Sequence, residues 1–347
     1  MTENLKHSLD SISSSHSPHR PSKISKTTDD LSDDEQQQQQ QQQPESMSQR
    51  PGIQRYLLAI EYIGTRFSGS QQQSNCRTVV GVLEEAFHKF IGQPVSMFCS
   101  SRTDAGVHAL SNVCHVDVER ISKRKPGEVK NEGDVMVIDV RSVPANFHAR
   151  YKAQERTYFY RLLSGAEPLS TFEKDRAWHV PEELNLRAMQ EACKVLVGHH
   201  DFSSFRAAGC QAKSPIRTLD ELNVSEVVST PCFPSIMERK QNNLGEDPHA
   251  GTNKSETDPP PSFNGGADLG FGLRKKHRCF VVTARARAFL YHQVEVRLLV
   301  GVLKAVGTGD LKVPDVERIL NAKTVTAASP MAPACGLYLG HVKYDLP

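Results

Sequence analysis

The chain has 347 residues, 38% of them hydrophobic and 24% charged, with a formal net charge of +2. That is enough apolar material for two domains, or for one large domain with extras, and too balanced a charge to mark a nucleic-acid binder by bulk electrostatics. No run of eighteen apolar residues and no apolar leader core is present, so a membrane span and a secretory signal are not expected.

The charge is unevenly spread. Residues 1–50 hold five basic and eight acidic side chains, so the remaining chain carries +5 against the overall +2. This stretch is Ser-rich, then acidic, then a glutamine run from Gln36 to Gln43. With few apolar side chains to offset ordering entropy, 1–50 is expected to be a disordered tail. The eight cysteines include no C-x-x-C pair, which argues against a zinc ribbon and for reduced thiols in an intracellular protein. Cytoplasm, nucleus and organelle are not distinguished.

The folded part begins near Arg55. Tyr56–Ile63 is β-rich and ends at a turn on Gly64. Val79, Val82, Leu83, Ala86, Phe87 and Phe90 recur at helical spacing, so 79–91 is predicted helical, with Thr78 as N-cap and Gly92 as stop. Val95–Cys99 is predicted as a strand, followed by a polar loop, Ser100–Val107, and a strand around Val113–Val118. Further strands are expected at Val135–Val140 and Glu155–Leu163, then a helix over Leu184–Leu196 ended by Gly198, and a strand over Leu219–Val228. Residues 231–276, with Pro259, Pro260 and Pro261 among Gly, Asn and Asp, break the pattern and are predicted to be a disordered surface insertion. A strand over Cys279–Ala288, an apolar helix over Leu290–Val306, a short helix after Pro314 and a strand over Gly336–Tyr344 complete the chain. Strands and helices mix without regular alternation, so the class is α+β. Two halves, 51–145 and 146–347, would leave a cleft between them.

The polar loop carries the sharpest motif: Ser101-Arg102-Thr103-Asp104-Ala105-Gly106-Val107-His108-Ala109. On residue pattern alone, an aspartate capping its own turn is the commoner fate of such a side chain. The stretch, however, resembles the signature of TruA-type tRNA pseudouridine synthases. Further segments resemble that family in order: Tyr62–Gly69; Asn146–Arg150 followed by Arg156–Tyr160; Asp201–Arg206 and Ser214–Thr218; Phe289–Val294 with Arg297–Gly301.

The resemblance implies the pseudouridine synthase fold, with two similar halves, antiparallel-rich sheets, flanking helices and a central cleft. It implies isomerisation of uridine in tRNA, in the anticodon stem-loop, by a homodimer that uses no cofactor. Asp104 matches the nucleophile, which needs a nearby cation to stay ionised. Arg102 matches the residue that holds the flipped nucleotide or fills its place, and a surface phosphate contact or salt bridge is its alternative. Tyr158 matches the aromatic that stacks on the uracil. It could instead be a core tyrosine, and Tyr160 shares its face. Arg297 matches the partner of Asp104. Arg150, Arg156, Arg206, Lys213 and Arg217 would together line an RNA path. His108, His199 and His200 have no ligand partners at metal spacing, and no metal is expected.

Three departures from the family pattern stand out. Glu295 and Val296 intervene between His292 and Arg297; in a continuous helix two extra residues rotate every later position by about 200°. Absorption ahead of Arg297 is expected, since Leu298, Leu299, Val302 and Leu303 keep helical register with it. The link Ile121–Asp134 is short where the family has a helix, which would expose apolar surface. Ser70 stands where an aromatic is usual, a change expected to affect packing only. The first two departures motivate an alternative, an RNA-binding protein of this fold with impaired catalysis. A glycoside hydrolase would need a second carboxylate about 5–9 Å from the first.

Overall fold

The computed structural model describes residues 52–119, 133–207, 214–228, 276–290, 294–325, 327–328 and 330–346. The expected tail 1–50, the insertion 231–276 apart from Lys276, most of the link 121–134, and Tyr291–Gln293 lie outside them.

Strands β1 (Ile53–Tyr62), β2 (Met97–Cys99), β3 (His108–Glu119), β4 (Val135–Val143), β5 (Glu155–Ser164), β6 (Trp178–Val180), β7 (Gly198–Asp201), β8 (Ile216–Val227), β9 (Arg278–Ala286) and β10 (Leu337–Lys343) form one sheet. Its order is β4-β1-β3-β10-β5-β9-β8-β7, with β2 added to β3 and β6 to β5. Pairing is antiparallel except where β10 meets β3 and where β6 meets β5. The N-terminal strands therefore lie on one side of the β3–β10 seam and the C-terminal strands on the other. The seam is short: only Tyr338↔His108 and Leu339↔Ala109 are in register.

Among the described residues four α-helices accompany the sheet: α1 (Val79–Ile91), α2 (Leu186–Leu196), α3 (Val294–Thr308) and α4 (Val313–Ala322). The predicted limits of α1 hold. Gly81 N–H donates to the Thr78 side chain, and Gly92 stops the helix at φ 88°, a left-handed turn that glycine adopts without strain. Helix α2 starts two residues later than predicted, because Asn185 accepts from Ala188 N–H and caps it there. Gly198 does not merely stop α2; it opens β7 at φ 118°. Helix α3 starts at Val294, not Leu290. The short strands β6 and β7 have no periodicity of their own and exist through their partners, β5 and β8.

Residues directly opposite on paired strands share a face. One such row runs Tyr62, Ala109, Leu339, Tyr158, Ala284, Leu222 across β1, β3, β10, β5, β9 and β8. All six are buried, so a continuous apolar layer crosses the seam.

Candidate active site

The loop between β2 and β3 delivers Asp104 to the seam. Val107 N–H donates to the Asp104 carbonyl (3.1 Å), closing a four-residue turn whose third residue, Gly106, has φ 82°. The main chain thus closes this turn. After it, His108 and Ala109 are the β3 residues that meet β10.

Three sets of contacts hold the loop from beneath. Ser70 and Thr103 are reciprocally bonded: Ser70 N–H donates to Thr103 O (2.9 Å), and Thr103 N–H donates to Ser70 Oγ (2.8 Å). Ser70 is 1% exposed, so it does more than fill the space of an aromatic; it satisfies a buried loop amide. Tyr62 Oη and Thr103 Oγ1 are 2.7 Å apart, and Asn112 Nδ2 donates to both Tyr62 Oη and Ser101 O (3.2 Å each). Burial pushes the Tyr62 phenol well above its ordinary value, so it is a neutral hydroxyl that both gives and takes hydrogen bonds. Gly69 and Gly64 lie against the same loop. A Cβ on Gly64 would fall 1.8 Å from Val107 O, so no other residue fits. Gly64 N–H also donates to His108 Nδ1 (3.2 Å), leaving the proton on Nε2, 3.2 Å from Asp175 O. Burial lowers the His108 pKa to about 4, so the ring is a neutral spacer beneath the loop. Among the described residues no group of three His, Cys, Asp or Glu could hold a metal ion.

The arginine expected to accompany Asp104, Arg297, lies close enough for the Asp104 carboxylate to act on its charge. Burial lowers the Arg297 pKa, and the Tyr160 hydroxyl and the Asp104 carboxylate oppose that shift. Arg297 is fixed by Ala332: its Nε donates to Ala332 O (2.6 Å), and Ala332 N–H donates back to Arg297 O (3.1 Å). Tyr160 Oη donates to the next carbonyl, Pro333 O (2.7 Å). The two extra residues, Glu295 and Val296, lie in the first turn of α3. Glu295 turns inward, 1% exposed, and accepts from Leu290 N–H (2.8 Å). Burial raises its pKa to about 7, with the Arg217 charge opposing.

The other expected residues are distributed as follows. Arg102 is half-buried on the loop. Tyr158 sits in the buried row, 1% exposed, with the Phe289 ring edge-on at 5.1 Å between centroids. Its ring meets a base only if the segment carrying Phe289 moves. Arg156 does not line an open path: its guanidinium is turned onto main-chain and hydroxyl acceptors. Arg217 likewise donates to Ile216 O and faces Glu295. Lys213 lies outside the described residues, and His199 is bonded to Thr218 (2.9 Å). Sequence reasoning missed Ser70, Tyr62 and Asn112 as supports of the loop. Asn112, directly before the apolar pair Val113-Cys114, was the available signal, since an amide buried in such a strand needs partners. Among the described residues, no helix is long and apolar enough to cross a membrane.

The profile of a family described as tRNA pseudouridine synthase matches residues 58–152 and 192–345. Arg102, Asp104 and Arg297 fall inside the matched segments; Arg156 and Tyr158 fall between them. The tRNA pseudouridine synthase A of Rhodospirillum centenum is 38% identical over 297 residues, covering 84% of this chain and 100% of that protein. Its counterpart in Xanthobacter autotrophicus is 37% identical over 296 residues, 84% of this chain and 99% of the relative. That of Bartonella henselae is 34% identical over 297 residues, with the same coverage. A pinned aspartate loop at the seam of one mixed sheet, the family profile over most of the chain, and likeness along nearly the whole of these relatives lead to one conclusion: the chain belongs to the tRNA pseudouridine synthase family.

Proposed function

We propose that this protein isomerises uridine to pseudouridine in tRNA, with Asp104 as the nucleophile. The observation that carries the reading is the Asp104 loop pinned at the seam, with the carboxylate close enough to Arg297 to act on its charge. Attack on a sugar carbon requires an aimed carboxylate, and the hydrogen bonds beneath the loop fix where Asp104 stands. The carboxylate bonds to C1′ as the glycosidic bond to N1 breaks. The uracil turns, C5 bonds to C1′ and displaces the carboxylate, and the C5 hydrogen leaves as a proton while N1 gains one. Reactant and product are isomers, so the balance calls for no redox cofactor and no phosphate donor.

Arg102 supports the extruded nucleotide in this reading, and Tyr158 stacks on the base once Phe289 gives way. Taking a base out of its stack costs a few kcal/mol, less from a loop than from a duplex, which favours the anticodon stem-loop as the target region. We extend the same reading to a homodimer acting inside the cell, and to a chain organised as tail 1–50, halves 51–145 and 146–347, and insertion 231–276.

The test is release of tritium from C5-labelled uridine in tRNA. Release by the wild type, abolished in Asp104→Ala, supports the enzyme. A well-folded wild type that binds tRNA without release would favour the alternative, an RNA-binding protein whose buried Tyr158 never receives a base.

A further inference from the structure

Arg156 holds a place that the proposed reaction leaves unused. It lies on β5 two residues before Tyr158, so both side chains leave the same face of the strand. Its five N–H donors meet four acceptors from three other segments. Nε donates to Ser101 Oγ (3.2 Å), and Nη2 donates to Ser100 O (3.0 Å) and to Arg150 O (3.1 Å). Nη1 donates to Arg287 O (2.7 Å). Ser100 and Ser101 are the residues where β2 gives way to the loop of Asp104, and both are buried. Arg287 follows β9 directly and leads to Phe289, the ring that covers Tyr158.

We infer that Arg156 is a positioning residue that fixes the Asp104 loop relative to the Tyr158 platform. None of these four hydrogen bonds goes to a carboxylate. The side chain serves as a planar fork whose donors point in set directions, and it spans the gap between β5 and the base of the loop. A lysine at this place offers one ammonium, which cannot reach acceptors spread over the two edges of a guanidinium. The other loop supports, Ser70, Tyr62 and Asn112, act from the N-terminal half. Arg156 is the support that ties the loop to the strand carrying the stacking aromatic. Loss of the fork leaves buried acceptors at Ser100 and Ser101 unsatisfied and lets the carboxylate drift from the sugar carbon. Misplacement of about 1 Å in such a geometry costs on the order of a hundredfold in rate.

The inference rests on Asp104 being the nucleophile, so Asp104→Ala is run in parallel. Tritium release persisting in that variant sinks the nucleophile reading whatever Arg156 does. With Asp104 required, Arg156→Ala and Arg156→Lys are compared with wild type in single-turnover tritium release and in tRNA binding. The expected result is a fall of about a hundredfold in the single-turnover rate for both variants, with an unchanged Kd for tRNA. Added methylguanidinium should restore part of the rate to Arg156→Ala and none to Arg156→Lys, whose side chain fills the space. An unchanged rate overturns the inference. So does a weakened Kd whose salt slope drops by about one, the mark of a phosphate contact. If both variants lose their near-UV circular dichroism, Arg156 is a folding residue and the positioning role is rejected.

Discussion

At the scale of single residues, the chemistry of this protein depends on small polar side chains that hold a loop. Ser70 is the sharpest case. The Thr103 amide, one residue before Asp104, is buried and donates to Ser70 Oγ. Removing that oxygen leaves an amide without its acceptor, where an apolar environment imposes the full desolvation cost. Ser70→Ala should therefore lose about 1–3 kcal/mol of stability in urea unfolding, more than the usual effect of trimming one hydroxyl. The same change should slow tritium release through drift of the Asp104 turn. Loss of less than about 0.5 kcal/mol would mean that the loop amide finds another partner. Gly64 belongs to the same scale: the main chain of Val107 passes so close that a methyl group would collide with its carbonyl.

At the scale of elements, helix α3 carries the feature that separates this chain from the family pattern. Glu295 and Arg297 lie two residues apart, hence about 200° around the helix. The first turns toward Leu290 and Arg217, the second toward Ala332 O. One short stretch thereby serves two environments. Glu295 holds its proton in the folded protein up to a pH of about 7, whereas the unfolded chain releases it near the ordinary carboxylate value of 4.5. Over that window the folded state binds more protons than the unfolded state, so the contribution of Glu295 to stability falls as pH rises and levels off above about 7. A glutamine side chain in its place would be neutral throughout and could still accept from Leu290 N–H. Glu295→Gln should therefore raise the urea midpoint at pH 8, with the difference closing by about pH 5. A difference independent of pH would show that this carboxyl does not titrate in that range.

At the scale of the whole molecule, the edge strand β4 is the exposed flank. It ends the sheet order, and Met136, Ile138 and Val140 are 47%, 44% and 52% exposed. The register slip opposite Ala59 and Ile60, and the exposed Asp139–Arg141 pair, blunt an edge that would otherwise invite pairing with another chain. Val140→Lys should reduce concentration-dependent light scattering, with stability shifted by no more than about 0.5 kcal/mol and tritium release unchanged. Scattering equal to wild type would clear this strand of any part in self-association.

Much of the fold is legible in the sequence where near neighbours in the chain decide the outcome. Thr78 and Gly92 bound α1 because a cap and a left-handed stop are satisfied within one turn. The polar loop between two strands stands out for its composition, and the motifs point to Asp104, Arg102, Tyr158 and Arg297. Helix α3 reads as starting four residues too early because an apolar run does not reveal that Glu295 folds back on Leu290. What only the tertiary structure decides is who meets whom. Ala109 and Leu339, far apart in sequence, pair across the seam and thereby set Tyr62 and Tyr158 in one row. That Arg156, on the far side of the seam, turns onto the Asp104 loop depends on that pairing. Periodicity is written in local spacing, whereas a side chain's partner is chosen by strands that meet only when the whole sheet closes.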